Sequence, residues 1–226
     1  MTFDDLLLEH VFSSFDKQLT ILDVHSDDDT WAFSLETGLL TLGGTVDYPA
    51  QILGTESHLS ETWRWAWANE ASQIPEALLA ATRDLRSFGE ANRLDELTTA
   101  DLSLDDADGD VFGLFALGIL GKQAYYSCPY EGGRMIVLLD DPRLQRQRDA
   151  KNPLLRALDA IPQAISTFEF PTHRPSFESY LRQCGVPFDI QGETLSAEHA
   201  GITLGATFDD QGRLTDLDVD RPEGGP

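Results

Sequence analysis

Three of the chain's four tryptophans, Trp63, Trp65 and Trp67, occupy alternate positions within Glu61-Thr62-Trp63-Arg64-Trp65-Ala66-Trp67-Ala68-Asn69. Side chains alternate between the faces of a β-strand, so a strand over 61–68 puts all three indoles on one face, with Asn69 at its end. Arg64, Ala66 and Ala68 then share the other face, where two small residues invite close packing by a helix. The tryptophan face has two readings. It is a core stripe beneath helices, or an aromatic platform beside a pocket, with Asn69 either orienting a ligand or capping a turn.

The flanking pattern gives an α+β fold. Thr2 and Asp5 form a capping-box signature, and Phe3, Leu7, Val11 and Phe15 recur at helical spacing behind it. The run Ser26-Asp27-Asp28-Asp29 reads as a solvated turn. Trp31, Phe33 and Leu35 alternate, glycine-containing turns follow, and 46–58 holds one or two further strands. Connections this short require antiparallel pairing. Pro75 opens a helix whose buried stripe is Leu78, Ala81, Leu85 and Phe88. The stretch 111–117 is apolar all round, which predicts the most buried helix, and the carboxylates before it suit a helix N-terminus. Tyr125-Tyr126 and 135–139 form a hairpin through Glu131-Gly132-Gly133. Beyond it, Pro153 starts a helix that Pro162 interrupts, a short helix spans 175–184, and 202–219 makes a hairpin before a loose tail. The expected architecture is an antiparallel sheet with helices packed on one face, plus a small C-terminal helix-and-hairpin module. Its parts are an acidic domain over 1–142, a basic linker over 143–152 and the module over 153–226.

Charge narrows the partner class. The chain carries 39 acidic and 16 basic residues, a formal charge of -23. Residues 1–142 hold 26 acids against 7 bases, whereas 143–226 hold 13 against 9. Such a surface is repelled by phosphate backbones and anionic lipid, which argues against nucleic acid and membrane and favours a basic protein partner. Asp105, Asp106, Asp108 and Asp110 are the candidate partner-binding residues. Acidity of this kind also arises as a host-wide adaptation with no partner at all. The one basic cluster, from Arg143 to Lys151, is a linker paired with the acidic half or a second docking patch. Two cysteines and no basic stretch ahead of the first apolar residues point to a reducing cytoplasm. The longest apolar run, 111–120, is too short for a span of roughly 20 residues.

No catalytic motif or cofactor signature emerges. Asp106, Asp108 and Gly109 sit like part of a calcium loop, but its first and last ligand positions would be Leu104 and Phe115. Lys122 is followed by Gln123 where a phosphate loop needs a hydroxyl. The five histidines, His10, His25, His58, His173 and His199, have no metal spacing. Cys184 ends a helix, where the dipole disfavours a thiolate, and Cys128 is expected in a more exposed loop. Asp216, Asp218 and Asp220 alternate along the last strand and read as protection of an edge.

The block Gln51-Ile52-Leu53-Gly54-Thr55, then Thr62 to Asn69, then Ile74-Pro75, resembles a family of uncharacterised bacterial proteins with a Leu-Gly-Thr…Trp-x-Trp-Ala-Trp-Ala-Asn signature. The resemblance covers about residues 1–140. It implies a bacterial origin and a fold unit, and it brings no catalytic residues. The leading expectation is a non-enzymatic interaction protein, antitoxin- or immunity-like. The alternatives are a small-ligand binder or enzyme with a pocket beside Trp63, Trp65 and Trp67, and a structural module.

Overall fold

The computed structural model describes residues 1–25, 30–105 and 108–220. Helix α1 (Phe3–Leu22) starts at the expected capping box, in which Thr2 Oγ1 accepts from the Asp5 N–H and the Asp5 carboxylate accepts from the Thr2 N–H. Next come β1 (Trp31–Ser34), β2 (Leu39–Leu42), β3 (Val46–Ser57), β4 (Thr62–Trp65), α2 (Ala80–Asn92), α3 (Asp95–Thr98) and β5 (Asp101–Ser103). They are followed by α4 (Gly109–Leu120), β6 (Ala124–Tyr130) and β7 (Gly133–Leu139). The remainder is α5 (Pro142–Asp149), α6 (Pro153–Thr167), α7 (Arg174–Gln183), β8 (Phe188–Gln191), β9 (Thr194–His199), β10 (Ile202–Phe208) and β11 (Leu214–Asp220). Among the described residues no helix is long and apolar enough to cross a membrane.

All strand pairs are antiparallel, giving the expected α+β class. The larger sheet runs β1-β2-β3-β4-β5, with β7 on β3 and β6 on β7. Strand β3 carries a bulge between Ile52 and Gly54 that changes which face its side chains take. Before it, Tyr48, Ala50 and Ile52 enter a cluster with Val137 and Leu139; after it, Gly54 pairs with Ile136, which faces the tryptophans. Simple alternation over 46–58 therefore cannot describe the strand.

Trp63 and Trp65 lie on the face covered by α1, α2 and α4. Phe112 of α4 meets both indoles, at 5.1 and 4.8 Å between ring centroids, and the two indoles meet edge to face at 5.4 Å. Gly54 lies beneath them. A Cβ there would stand 2.3 Å from the Trp63 ring and 2.6 Å from the Arg64 carbonyl oxygen. The Leu53-Gly54-Thr55 and Trp63 segments are thus two halves of one packing unit.

Helix α1 joins the two parts of the chain. Phe3 stacks on Phe115 at 4.3 Å, while Phe12 and Phe15 meet Phe170 and Phe168 edge to face. One apolar cluster runs from Trp63 through Phe112 and α1 to Phe177 and Phe208. The segments 1–142 and 153–220 share this core.

Several local expectations change. The tryptophan strand ends at Trp65 and Ala66–Ala68 turn into a 3-10 helix: the ladder with β3 ends at the Gly54–Trp65 pair, beside the bulge, and the ladder with β5 ends at Arg64–Asp101. Arg64 faces solvent and pairs with Asp101 instead of meeting a helix. Pro75 precedes a 3-10 turn, Glu76–Leu78, and α2 starts later at Ala80. The predicted basic linker is mostly the helix α5, capped by Asp141, with Leu144 buried in the second apolar cluster. Pro162 lies inside an unbroken α6, its ring on the exposed side, where solvent can reach the carbonyl that loses its N–H partner. Where the pattern predicts one C-terminal hairpin, there is a four-stranded sheet in the order β11-β10-β9-β8. The mostly exposed residues of β8 and β9 leave little hydrophobic signature. Asp216, Asp218 and Asp220 are exposed on the outer strand β11, a placement that discourages edge pairing. The turn at Ser26–Asp29 and the tail from Pro222 lie outside the described residues.

Replacing Gly54 with alanine forces its Cβ into the Trp63 ring and the Arg64 carbonyl. Gly54→Ala is expected to destabilise the protein by about 2 kcal/mol or more, measured by urea unfolding, and an unchanged midpoint would refute this packing account.

Candidate functional site

The predicted site residues fall in two places. Trp63 and Trp65 are 0% and 1% exposed, wedged between β3 and Phe112. Trp65 Nε1 donates to the Glu96 carbonyl at 3.0 Å. Trp67, in the 3-10 turn after the strand, packs at the margin of the same apolar cluster and is half-buried under the Arg86 guanidinium, 4.3 Å from the ring centroid. Asn69, also half-buried, joins two 3-10 turns and donates its N–H to the Ala66 carbonyl. These four residues thus form no common accessible face. Of the aspartates, Asp106 lies outside the described residues and Asp105 is exposed in the loop before α4. Asp108 and Asp110 come together at the start of α4.

Asp108 is the N-cap of α4. Its Oδ1 accepts from the Asp110 and Val111 N–H groups, each at 3.0 Å, so its charge sits at the positive end of the helix dipole. Among the described residues Asp108 forms no ion pair. Asp110 accepts from Tyr125 Oη at 2.9 Å and from Arg134 Nη1 at 2.7 Å. Arg134 also grips Glu56, which is 2% exposed and accepts from the Gly109 N–H as well. Burial pushes the Glu56 carboxyl up, but the bonds from Arg134 and Gly109 outweigh it and hold the group below its usual value. Burial, and then the Asp110 carboxylate, push the Tyr125 phenol well above its ordinary value.

This network forms one end of a groove of about 640 Å³. Phe15 of α1, Trp31 of β1, Tyr125 and Tyr126 of β6 and Phe168 after α6 supply aromatic walls, and Asp108 and Asp110 supply the acid. Most of these rings are half-buried, so they present area without being closed off. In the sequence Tyr125-Tyr126 reads only as a hairpin strand, and Glu56 and Arg134 carry no signature of their own. A lone arginine between acid-rich segments was the available signal.

Neither cysteine lines this groove, and neither is activated as a nucleophile. Cys128, expected in an exposed loop, is buried in β6, and burial pushes its thiol up to about 12; Cys184 is the less buried of the two, and burial raises its thiol too. Both thiols therefore stay protonated near neutrality. Among the described residues no three His, Cys, Asp or Glu side chains gather as a metal ion would require.

The Glu56–Arg134 pair ties β3, β7 and α4 together, so removing one partner strands a buried charge. Arg134→Met is expected to cost about 3–5 kcal/mol, and Glu56→Gln combined with it to restore part of that loss. Because the folded value of Glu56 lies below its unfolded one, its contribution is complete above the usual carboxylate range and disappears as pH falls through the folded value. Denaturant unfolding from neutral to acid pH should show a shallower loss of stability in Glu56→Gln than in the parent.

A comparison with curated proteins and another with solved structures each found no match. The sequence matches the Family of unknown function (DUF6882) over residues 4–142. That span runs from the first turn of α1 to the start of α5 and includes Gly54, Glu56, Trp63, Asp108, Asp110 and Arg134. The chain belongs to this family, and its residues 143–226 lie beyond the matched span.

Proposed function

We propose that the protein is a non-enzymatic, cytoplasmic interaction module that binds a basic protein partner, in the manner of an antitoxin or immunity protein. The partner seats a cationic side chain in the groove at the start of α4. One observation carries this reading: half-buried aromatic rings converge there on Asp108, a carboxylate without an ion-pair partner among the described residues. Aromatic faces attract cations through their quadrupole, and a carboxylate beside them adds a directed charge. The wider field points the same way, since residues 1–142 carry 26 acids against 7 bases. That field speeds encounter with a basic surface and repels acidic competitors.

The buried positions of Trp63 and Trp65 favour this groove over a pocket on the tryptophan face. A structural module whose acidity merely reflects its host would bind no partner through the groove.

The test passes host lysate over immobilised protein at low salt and elutes with a salt gradient. The expected result is one basic protein released sharply, because screening shortens from about 10 Å at 0.1 M to about 3 Å at 1 M. Asp108→Asn keeps an N-cap side chain while removing the charge, and Tyr126→Ala removes one aromatic wall. Each should release the partner at lower salt. An eluate with no basic protein rejects the reading, and unchanged elution from both variants moves the contact away from this groove.

A further inference from the structure

A second polar cleft lies where α1, α5, α6 and α7 meet, away from the tryptophans. Two adjoining hollows, of about 320 and 400 Å³, share Asp16, Arg148 and Arg156 as lining. Lys17 opens onto one and Lys151 onto the other. A chain with only 16 basic residues against 39 acids thus brings four of its bases to one place, beside four acids, Asp16, Asp23, Asp149 and Asp159, of which Asp23 pairs with Lys151. The larger hollow is lined by Lys17, Arg148 and Arg156 but by only two acids, Asp16 and Asp149. Its charge balance is the reverse of the chain's.

The arginines are poorly served by protein acceptors. The Arg156 side chain is 11% exposed. Its Nη1 donates to Asp16 Oδ2 at 2.8 Å, its Nη2 reaches only Cys184 Sγ at 3.9 Å, and its buried Nε has no hydrogen-bond partner. The Arg148 side chain is 16% exposed, and both of its contacts, from Nε and Nη2, are to Asp149 Oδ1 at 3.4 Å, where Asp149 is itself half-exposed. A guanidinium carries five N–H donors and is costly to bury without acceptors. Two of them here share one short carboxylate contact. Lys17 Nζ gives a single bond to the Leu117 carbonyl, at 2.9 Å. Burial and then the nearby Arg148 charge lower the Lys17 pKa from 10.5 to about 8, against the pull of Asp16.

We infer that this cleft binds a small oxyanion of the phosphate class, held by Arg148, Arg156 and Lys17. A tetrahedral oxyanion offers several acceptors in the geometry that guanidinium forks match. Ser13 and Gln183 at the edge add neutral polar groups. The acidic surface of the chain repels an extended polyanion. Arg148, Arg156 and Lys17 line no part of the groove at α4, with which the cleft shares only Leu22, so the inference stands or falls separately from the partner reading.

The test is isothermal titration of the full chain with sodium phosphate, using sodium chloride at matched ionic strength as the reference. Saturable binding of phosphate but not chloride is expected. Arg148→Gln should weaken it at least tenfold, and Arg148→Lys should fall between, retaining charge without the fork. Arg146→Gln, an exposed position on the same helix, should bind like the parent. Among the described residues Arg148 pairs with its exposed neighbour Asp149 alone, so these variants are expected to keep the fold, which circular dichroism checks. Phosphate heats no larger than those of chloride overturn the inference, as does an equal loss in Arg146→Gln and Arg148→Gln.

Discussion

The placement of α1 between the two parts of the chain is the constraint on which the rest depends. Its aromatic residues face both ways: Phe3 stacks on α4, while Phe12 and Phe15 meet the rings that follow α6. Asp16 adds a polar tie, since its buried carboxylate pairs with Arg156 of α6 at 2.8 Å. Burial raises the Asp16 pKa against the pull of Arg156, so the pair is retained at a desolvation cost. A helix used on more than one side cannot keep a narrow apolar stripe. That is why Ser13, Ser14, Asp16, Gln18 and Thr20 are buried along with Val11, Phe12 and Ile21. Gln18 shows how such a residue is accommodated, for its Oε1 accepts the Tyr125 N–H at the start of β6.

Behind α1, the sheet is organised around one glycine and one bulge. Gly54 gives Trp63 its space, and the bulge beside it lets β3 serve two apolar clusters in succession. Gly109 makes a similar concession at the start of α4, where a Cβ would stand 2.7 Å from Ile136 and 2.9 Å from Glu56. That close approach lets the buried Glu56 carboxylate reach the helix N-terminus and places Arg134 against Asp110. The acidic end of the aromatic groove therefore derives from the same packing that buries the tryptophans.

Charge is arranged on a similar economy. Most acids remain at the surface, where repulsion among them is screened, and many bases are committed to short-range pairs such as Arg64 with Asp101 and Lys122 with Asp140. The exceptions lie in two clefts of opposite character. One presents Asp108 among aromatic rings, and the other presents under-supplied guanidiniums beside Lys17. Neither is visible as a linear motif, because each draws on residues from at least three elements.

By itself the sequence determined the α+β class, the antiparallel pairing, the capped first helix, the heavily buried α4 and the hairpin of β6 and β7. Each follows from a local cause: a cap, a period of hydrophobicity or a connection too short for a crossover. Asp108 and Asp110 were legible for the same reason, as carboxylates at the start of a helix. Tertiary structure alone decided where Trp67 and Asn69 go, since the ladder between β3 and β4 ends at Trp65, beside the bulge of β3. It also decided that Cys128 is buried, that 143–152 is mainly helical, and that Tyr126, Phe168 and Trp31 share a groove. Those outcomes depend on contacts between residues far apart in the chain, and such contacts leave no periodicity to read.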